Sequence, residues 1–197
     1  MVSEQDDIRR LIFKYRSYTP IPFLIVMVLF AQPTFGTLIS GLCIVCVGEW
    51  IRFWGVSIAG SETRTTGTVG GTYLITNGPF AYFRNPLYVG NMLLYAGLGV
   101  MSNALSPWLV IIGIVWFYVQ YYLIVTKEEE YLAERFGDAY AQYKRHVRRF
   151  IPRLAKYRGV TPPEKTVDMR EGFASERRTL QAISLVTLFI VVKYLIN

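Results

Sequence analysis

Two long charge-free stretches organise the chain. Residues 17–48 contain no Asp, Glu, Lys or Arg over 32 positions, and residues 85–126 contain none over 42. A helix crosses the hydrocarbon core of a bilayer with about 20 apolar residues. Each stretch is too long for one crossing and suits two, with turns at Gln32-Pro33-Thr34-Phe35-Gly36 and Ser102-Asn103-Ala104-Leu105-Ser106-Pro107. This predicts spans over residues 18–31, 37–58, 87–101 and 107–125. A fifth is predicted over residues 179–197, where only Lys193 interrupts the apolar run. Residues 127–147 repeat differently. Leu132, Phe136, Tyr140, Tyr143 and Val147 recur at helical spacing, which predicts an amphipathic helix. Its acids, Glu128, Glu129 and Glu130, lead; its bases, Lys144, Arg145, Arg148 and Arg149, trail, as the helix dipole favours. Gly137-Asp138 predicts a break, with Asp138 capping the second piece. Ile8, Leu11, Ile12 and Tyr15 predict a surface helix within residues 1–16. The expected fold is all-α: a polytopic membrane helical bundle of about five transmembrane helices with a cytoplasmic amphipathic segment.

Composition supports this. The chain of 197 residues is 52% hydrophobic and only 18% charged, which suits a membrane protein better than a soluble domain. One integral membrane domain over 1–197 is expected, with a linker over 154–178 before the last span. The net charge of +7 would fit a nucleic-acid binder, but its distribution does not. Of 21 Lys and Arg, 4 lie in residues 1–19, 3 in 52–85 and 13 in 127–178, while the two short turns carry none. That asymmetry places basic segments on the cytoplasmic side. The N-terminus and the 59–85 and 127–178 segments are expected inside, the C-terminus on the opposite side, and no secretory signal peptide is expected. The lipid bilayer is the expected partner, facing the basic excess with its anionic headgroups. No nucleic acid and no obligate protein partner are inferred.

The candidate chemistry is concentrated at the cytoplasmic ends. Gly78-Pro79-Phe80-Ala81-Tyr82-Phe83-Arg84-Asn85-Pro86-Leu87-Tyr88-Val89-Gly90 leads into the third span. Pro79 and Pro86 keep the backbone ahead of them out of helix. Alone, Arg84 reads as a snorkelling interfacial cation. A hairpin of the third and fourth spans, however, returns Lys127-Glu128-Glu129-Glu130 to the same side of the bilayer. Glu49 near Arg52 reads as an i, i+3 ion pair or as a group facing a polar cavity. Tyr118, Gln120, Tyr121 and Tyr122 either line a cavity or form an aromatic belt. Gly90, Gly97 and Gly99 predict close helix contacts. The Gly- and Thr-rich residues 60–72 lack the lysine of a nucleotide loop and read as a cytoplasmic loop. Cys43 and Cys46 read as small buried residues, and no metal site is expected.

The stretch 78–90 resembles the signature of the isoprenylcysteine carboxyl methyltransferases and related phospholipid methyltransferases. Glu128-Glu129-Glu130-Tyr131-Leu132, Phe136-Gly137-Asp138-Ala139-Tyr140, Tyr143 and Arg149-Phe150-Ile151-Pro152 resemble the second half of that pattern, so the likeness covers about residues 70–153. The resemblance implies an integral membrane enzyme that uses S-adenosylmethionine on the cytoplasmic side. It implies that Leu74, Ile75, Phe80, Asn85, Pro86, Leu87 and Tyr88 enclose the cofactor and that Glu128 meets its charged methionine end. Two positions depart from the pattern: Asn85 stands where the family commonly has His, and Ile124 stands about where animal members carry a substrate-contacting arginine.

Methyl transfer from a sulfonium is an in-line displacement in which the protein supplies position and electrostatics. Arg84 suits a two-pronged grip on a carboxylate. A carboxylate acceptor needs no base; an amine needs a proton acceptor, for which Glu129 or His146 is a candidate. Arg84 and Glu129 are therefore the expected catalytic pair, and a hydrophobic, lipid-like molecule is the expected acceptor. A membrane prenyl-lipid or sterol-type reductase using a nicotinamide cofactor, and a small transport or scaffold protein, are the alternatives.

Overall fold

The computed structural model describes residues 11–60, 73–159 and 166–196. The expected surface helix is described only from residue 11, and is helical over 11–15. Residues 61–72 of the Gly/Thr-rich loop and the linker residues 161–165 lie outside the described residues.

Five α-helices follow: α1 (Pro20–Leu29), α2 (Phe35–Ala59), α3 (Pro86–Ser102), α4 (Trp108–His146) and α5 (Met169–Ile196), with a short 3₁₀ turn at Gly78–Ala81. Proline opens α1 and α3, where its missing N–H costs nothing. Thr34 and Thr37 cap α2 reciprocally: the Thr34 amide donates to Thr37 Oγ1 at 2.8 Å and the Thr37 amide to Thr34 Oγ1 at 3.2 Å. The all-α membrane architecture expected from the sequence is present, but the count of about five spans is corrected. Among the described residues, three helices are long and apolar enough to cross a membrane: α2, α4 and α5. The first apolar stretch is interrupted at Pro20, leaving α1 only 10 residues, about 15 Å. Pro86 and the turn after Ser102 hold α3 to 17 residues, about 25 Å, against a hydrocarbon core of about 30 Å.

α4 extends over 39 residues, from the apolar stretch into the amphipathic one, in two pieces. The expected break falls at Gly137, whose φ of 50° and ψ of −125° kink the helix. α5 begins at Met169, about three turns before its apolar part.

The chain gathers into two compact units. The first comprises residues 1–49, 90–124 and 178–197. Its core contains Met27, Val45, Leu94, Leu98, Met101, Leu109 and Ile190. The expected close approach through Gly97 is realised: a Cβ there would fall 2.8 Å from the Val45 backbone nitrogen. Gly97→Ala should therefore lower stability by about 1–3 kcal/mol. Gly113→Ala, whose Cβ would meet nothing nearer than Phe23 at 3.7 Å, should leave it unchanged or raise it by up to about 1 kcal/mol. Thermal unfolding in detergent measures both. Cys43 and Cys46 are exposed, not buried. The buried stripe of α2 follows Gly41, Val45 and Gly48, and the cysteines fall off it. Gln120 and Tyr121 are buried, and the Thr19 hydroxyl donates to Gln120 Oε1 at 2.9 Å; Tyr118 and Tyr122 are exposed.

The second unit comprises residues 50–89 and 125–177. Asp168 caps α5 by accepting from the Arg170 and Glu171 amides at 2.9 and 3.1 Å. The first turns of α5 lie against the end of α2. Phe53 and Phe173 rings meet at 4.7 Å, and Arg52 Nη2 donates to both oxygens of the buried Glu176 at 2.8 and 2.7 Å. Sequence reasoning offered Glu49 as the partner of Arg52 from helical spacing; it had no means of finding Glu176, 124 positions away.

Candidate functional site

The site is built within the second unit from three segments: the turn over residues 78–86, α4 beyond its apolar run, and the non-helical residues 147–157. Backbone hydrogen bonds join the first and last. The Arg84 amide donates to the Arg148 carbonyl at 2.9 Å and the Asn85 amide to the Arg149 carbonyl at 3.2 Å. In the other direction, the Arg153 amide donates to the Tyr82 carbonyl and the Tyr157 amide to the Ala81 carbonyl, both at 3.0 Å. Pro86 makes this possible, because residues just ahead of it, held out of the α-helix, leave amides and carbonyls for another segment. A small core of Leu74, Ala81, Tyr140, Tyr143, Val147 and Tyr157 supports the junction. The Tyr143 hydroxyl donates to the Phe80 carbonyl at 2.7 Å.

Arg84 and Glu129 are in direct contact. Arg84 Nε and Nη2 donate to Glu129 Oε1 at 3.0 and 2.7 Å, and Arg84 Nη1 donates to the carbonyls of Lys144 and Val147. Arg149 completes the cluster: its Nε reaches Glu129 Oε1 at 3.1 Å, its Nη2 reaches Oε2 at 2.8 Å, and its Nη1 reaches Thr126 Oγ1 at 3.2 Å. Lys144 Nζ stands 3.6 Å from Oε2. Glu129 is only 3% exposed. Burial by itself disfavours its ionised form, but hydrogen bonds from Arg149 and Arg84 and the charges of both outweigh it, so the carboxyl titrates below its ordinary range. Burial raises the phenols of Tyr140 and Tyr143 well above their usual range, so both stay protonated. Two guanidinium groups around one carboxylate leave the cluster with excess positive charge.

Glu128, the next residue, belongs to a separate arrangement. It is half-buried, and the Tyr88 hydroxyl donates to its Oε1 at 2.6 Å. Two residues from Pro86 and two residues past the charge-free part of α4, this bond ties the two ends of the expected hairpin.

The structure thus brings together Arg84 with Glu129, and Tyr88 with Glu128. Asn85 anchors the turn, its amide Nδ2 donating to the Arg149 carbonyl at 3.3 Å. Leu74 is in the small core, and Ile75 and Phe80 are half-buried. Pro86 is buried at the start of α3. Leu87 faces Gly55 of α2, where a Cβ would meet its Cδ2 at 3.0 Å. His146 is exposed, with Nδ1 2.8 Å from the Gln142 carbonyl oxygen. Sequence reasoning did not single out Arg149 as a site residue. Its place in Arg149-Phe150-Ile151-Pro152 was the available signal, but nothing local assigns it to Glu129, 20 residues earlier.

Comparisons with known proteins bear on the same segments. A family model described as phospholipid methyltransferase matches residues 37–139. The chain is 34% identical over 120 residues to the cobalt-zinc-cadmium resistance protein CzcN of Cupriavidus metallidurans, covering 60% of this chain and 49% of that one. It is 32% identical over 117 residues to the protein-S-isoprenylcysteine O-methyltransferase of Schizosaccharomyces pombe, covering 57% of this chain and 48% of that one. The Homo sapiens protein of the same name is 32% identical over 131 residues, 58% of this chain and 40% of that one. The chain therefore spans about half or less of the length of these relatives. No solved structure matches it.

Proposed function

The chain belongs to the phospholipid methyltransferase family, and from that premise we propose that this integral membrane protein binds S-adenosylmethionine and methylates a hydrophobic acceptor held in the bilayer. The observation that carries the reading is the 2.6 Å hydrogen bond from Tyr88 to Glu128, which joins the two family-like motifs at one point. The residues present fit the cofactor: a half-buried carboxylate of fixed orientation suits an ammonium group, because a carboxylate accepts from several donors at once. In this reading Glu128 holds that ammonium. Leu74, Ile75, Phe80, Asn85, Pro86, Leu87 and Tyr88 enclose the rest. When bound, the cofactor supplies the activated methyl group, and the protein supplies orientation and a dry, charged surround.

The roles of Arg84 and Glu129 follow from their contacts. Glu129 is tied to two arginines and holds its proton weakly, so it is a poor acceptor for a proton from an amine. Arg84 spends its donors on Glu129 and two carbonyls, so it positions the turn over residues 78–86 relative to α4. The excess positive charge of Arg84 and Arg149 favours a carboxylate acceptor, which needs no base. An isoprenylcysteine-type carboxylate is the first candidate and a lipid head group the second. The site is assigned to the cytoplasmic face, where basic segments remain.

Calorimetric titration of the purified protein with S-adenosylhomocysteine tests the cofactor directly. Saturable heat is expected; its absence from protein with intact helical circular dichroism would overturn the proposal.

A further inference from the structure

The basic segment that closes the site has a chemistry of its own. Seven Lys or Arg side chains fall within residues 144–158, and no Asp or Glu occurs from residue 139 to 159. Lys144 and Arg149 face Glu129. Arg145, Arg148, Lys156 and Arg158 are exposed and Arg153 is half-exposed. None of these five forms an ion pair with a described residue. Like charges confined to so short a stretch repel one another unless an external anion offsets them.

The same segment presents apolar side chains among those cations. Leu154 is fully exposed and Ile151 is 60% exposed. Neither is on a loose strand. The Arg153 and Tyr157 amides are bonded to the Tyr82 and Ala81 carbonyls, and the buried Tyr157 ring packs 5.5 Å from Tyr143. Exposed apolar residues interleaved with cations are the pattern of a surface that lies in a headgroup layer. The segment is also at the right level of the chain. The Arg149 carbonyl accepts from the amide of Asn85, the first residue of the 42-residue charge-free stretch.

We propose that residues 145–158 dock onto anionic phospholipid headgroups, with Arg148, Arg153, Lys156 and Arg158 meeting phosphate and Ile151 and Leu154 entering the headgroup–acyl boundary. Nucleic acid would satisfy the charge but leave Ile151 and Leu154 without an apolar neighbour. The inference does not depend on methyl transfer, and its test needs no cofactor or acceptor.

The full chain, reconstituted in phosphatidylcholine vesicles, is probed by electron spin resonance with spin-labelled phosphatidylglycerol or spin-labelled phosphatidylcholine. A several-fold preferential association of phosphatidylglycerol is expected. It should fall toward parity in molar salt, where the Debye length shrinks to about 3 Å. It should also fall in the combined variant Arg148→Gln, Arg153→Gln, Lys156→Gln, Arg158→Gln. If that variant does not fold, Lys156→Gln with Arg158→Gln, both at exposed positions, is read in the same way. Arg135→Gln, exposed on α4 before the kink, should keep the full preference. Equal association of the two lipids, or a preference that survives the substitutions, overturns the proposal. So does saturable binding of an RNA oligonucleotide lost with the same substitutions but without lipid preference.

Discussion

Glu129→Ala will destabilise the protein by about 3–5 kcal/mol, the range for removing one partner of a buried ionic cluster. Arg84 and Arg149 would then be left with side chains 9% and 20% exposed and no carboxylate between them. The joint between the turn at residues 78–86 and residues 147–157 would loosen with them. Glu129→Gln, which keeps the side chain's shape and one acceptor oxygen but no charge, should cost less. Thermal unfolding in detergent, followed by circular dichroism, measures both; a wild-type unfolding temperature for Glu129→Ala would refute the structural role of the Arg84–Glu129–Arg149 cluster. The pH dependence has a definite sign. Because the folded protein holds the Glu129 carboxyl below its ordinary value of 4.5, its contribution is complete above that value. It is lost as pH falls through the lower folded value, since the unfolded state then binds more protons. The acid limb of the stability curve should therefore flatten in Glu129→Gln.

Glu128→Ala is expected to act on binding and leave the fold intact. Loss of a hydrogen bond to a charged group costs about 1.5–3 kcal/mol, which corresponds to roughly ten- to hundredfold weaker binding of S-adenosylhomocysteine. Tyr88→Phe should weaken it less, because it removes the group that orients Glu128 and leaves the carboxylate. Calorimetry on the three proteins ranks them, with unfolding temperature as the control. If Glu128→Ala binds as tightly as wild type, the ammonium-holding role falls, although the family assignment does not. The opposite profiles expected for Glu128 and Glu129 separate a binding role from a positioning one in adjacent residues.

Those two residues also show where sequence reasoning reached its limit. Successive positions on a helix point about 100° apart, so a run of three glutamates cannot show which one meets Tyr88 and which meets Arg84. That depends on the rotation of α4 against its neighbours. Arg52 is similar: helical spacing points to Glu49, and nothing local points to Glu176, which reaches it from a helix that starts more than a hundred residues later. The exposure of Cys43 and Cys46 follows from which stripe of α2 packs through Gly41, Val45 and Gly48. An apolar sequence without polar positions does not mark that stripe.

The chain by itself determined what depends on composition and local backbone chemistry. Charge-free stretches required helices in a membrane, because an unpaired backbone polar group is too costly there. Pro86 kept the residues just ahead of it out of helix, and Gly137 marked the kink in α4. The pairing of the motif before α3 with the acidic start of the amphipathic segment was legible as well, since a hairpin of two helices returns both to one end. Only the tertiary structure decided that Arg149 shares Glu129 with Arg84, that Tyr88 meets Glu128 rather than its neighbours, and that α5 is fastened through Glu176. Each is a matter of distance or helix rotation between segments far apart in the chain, and no local pattern of residue types encodes such a distance.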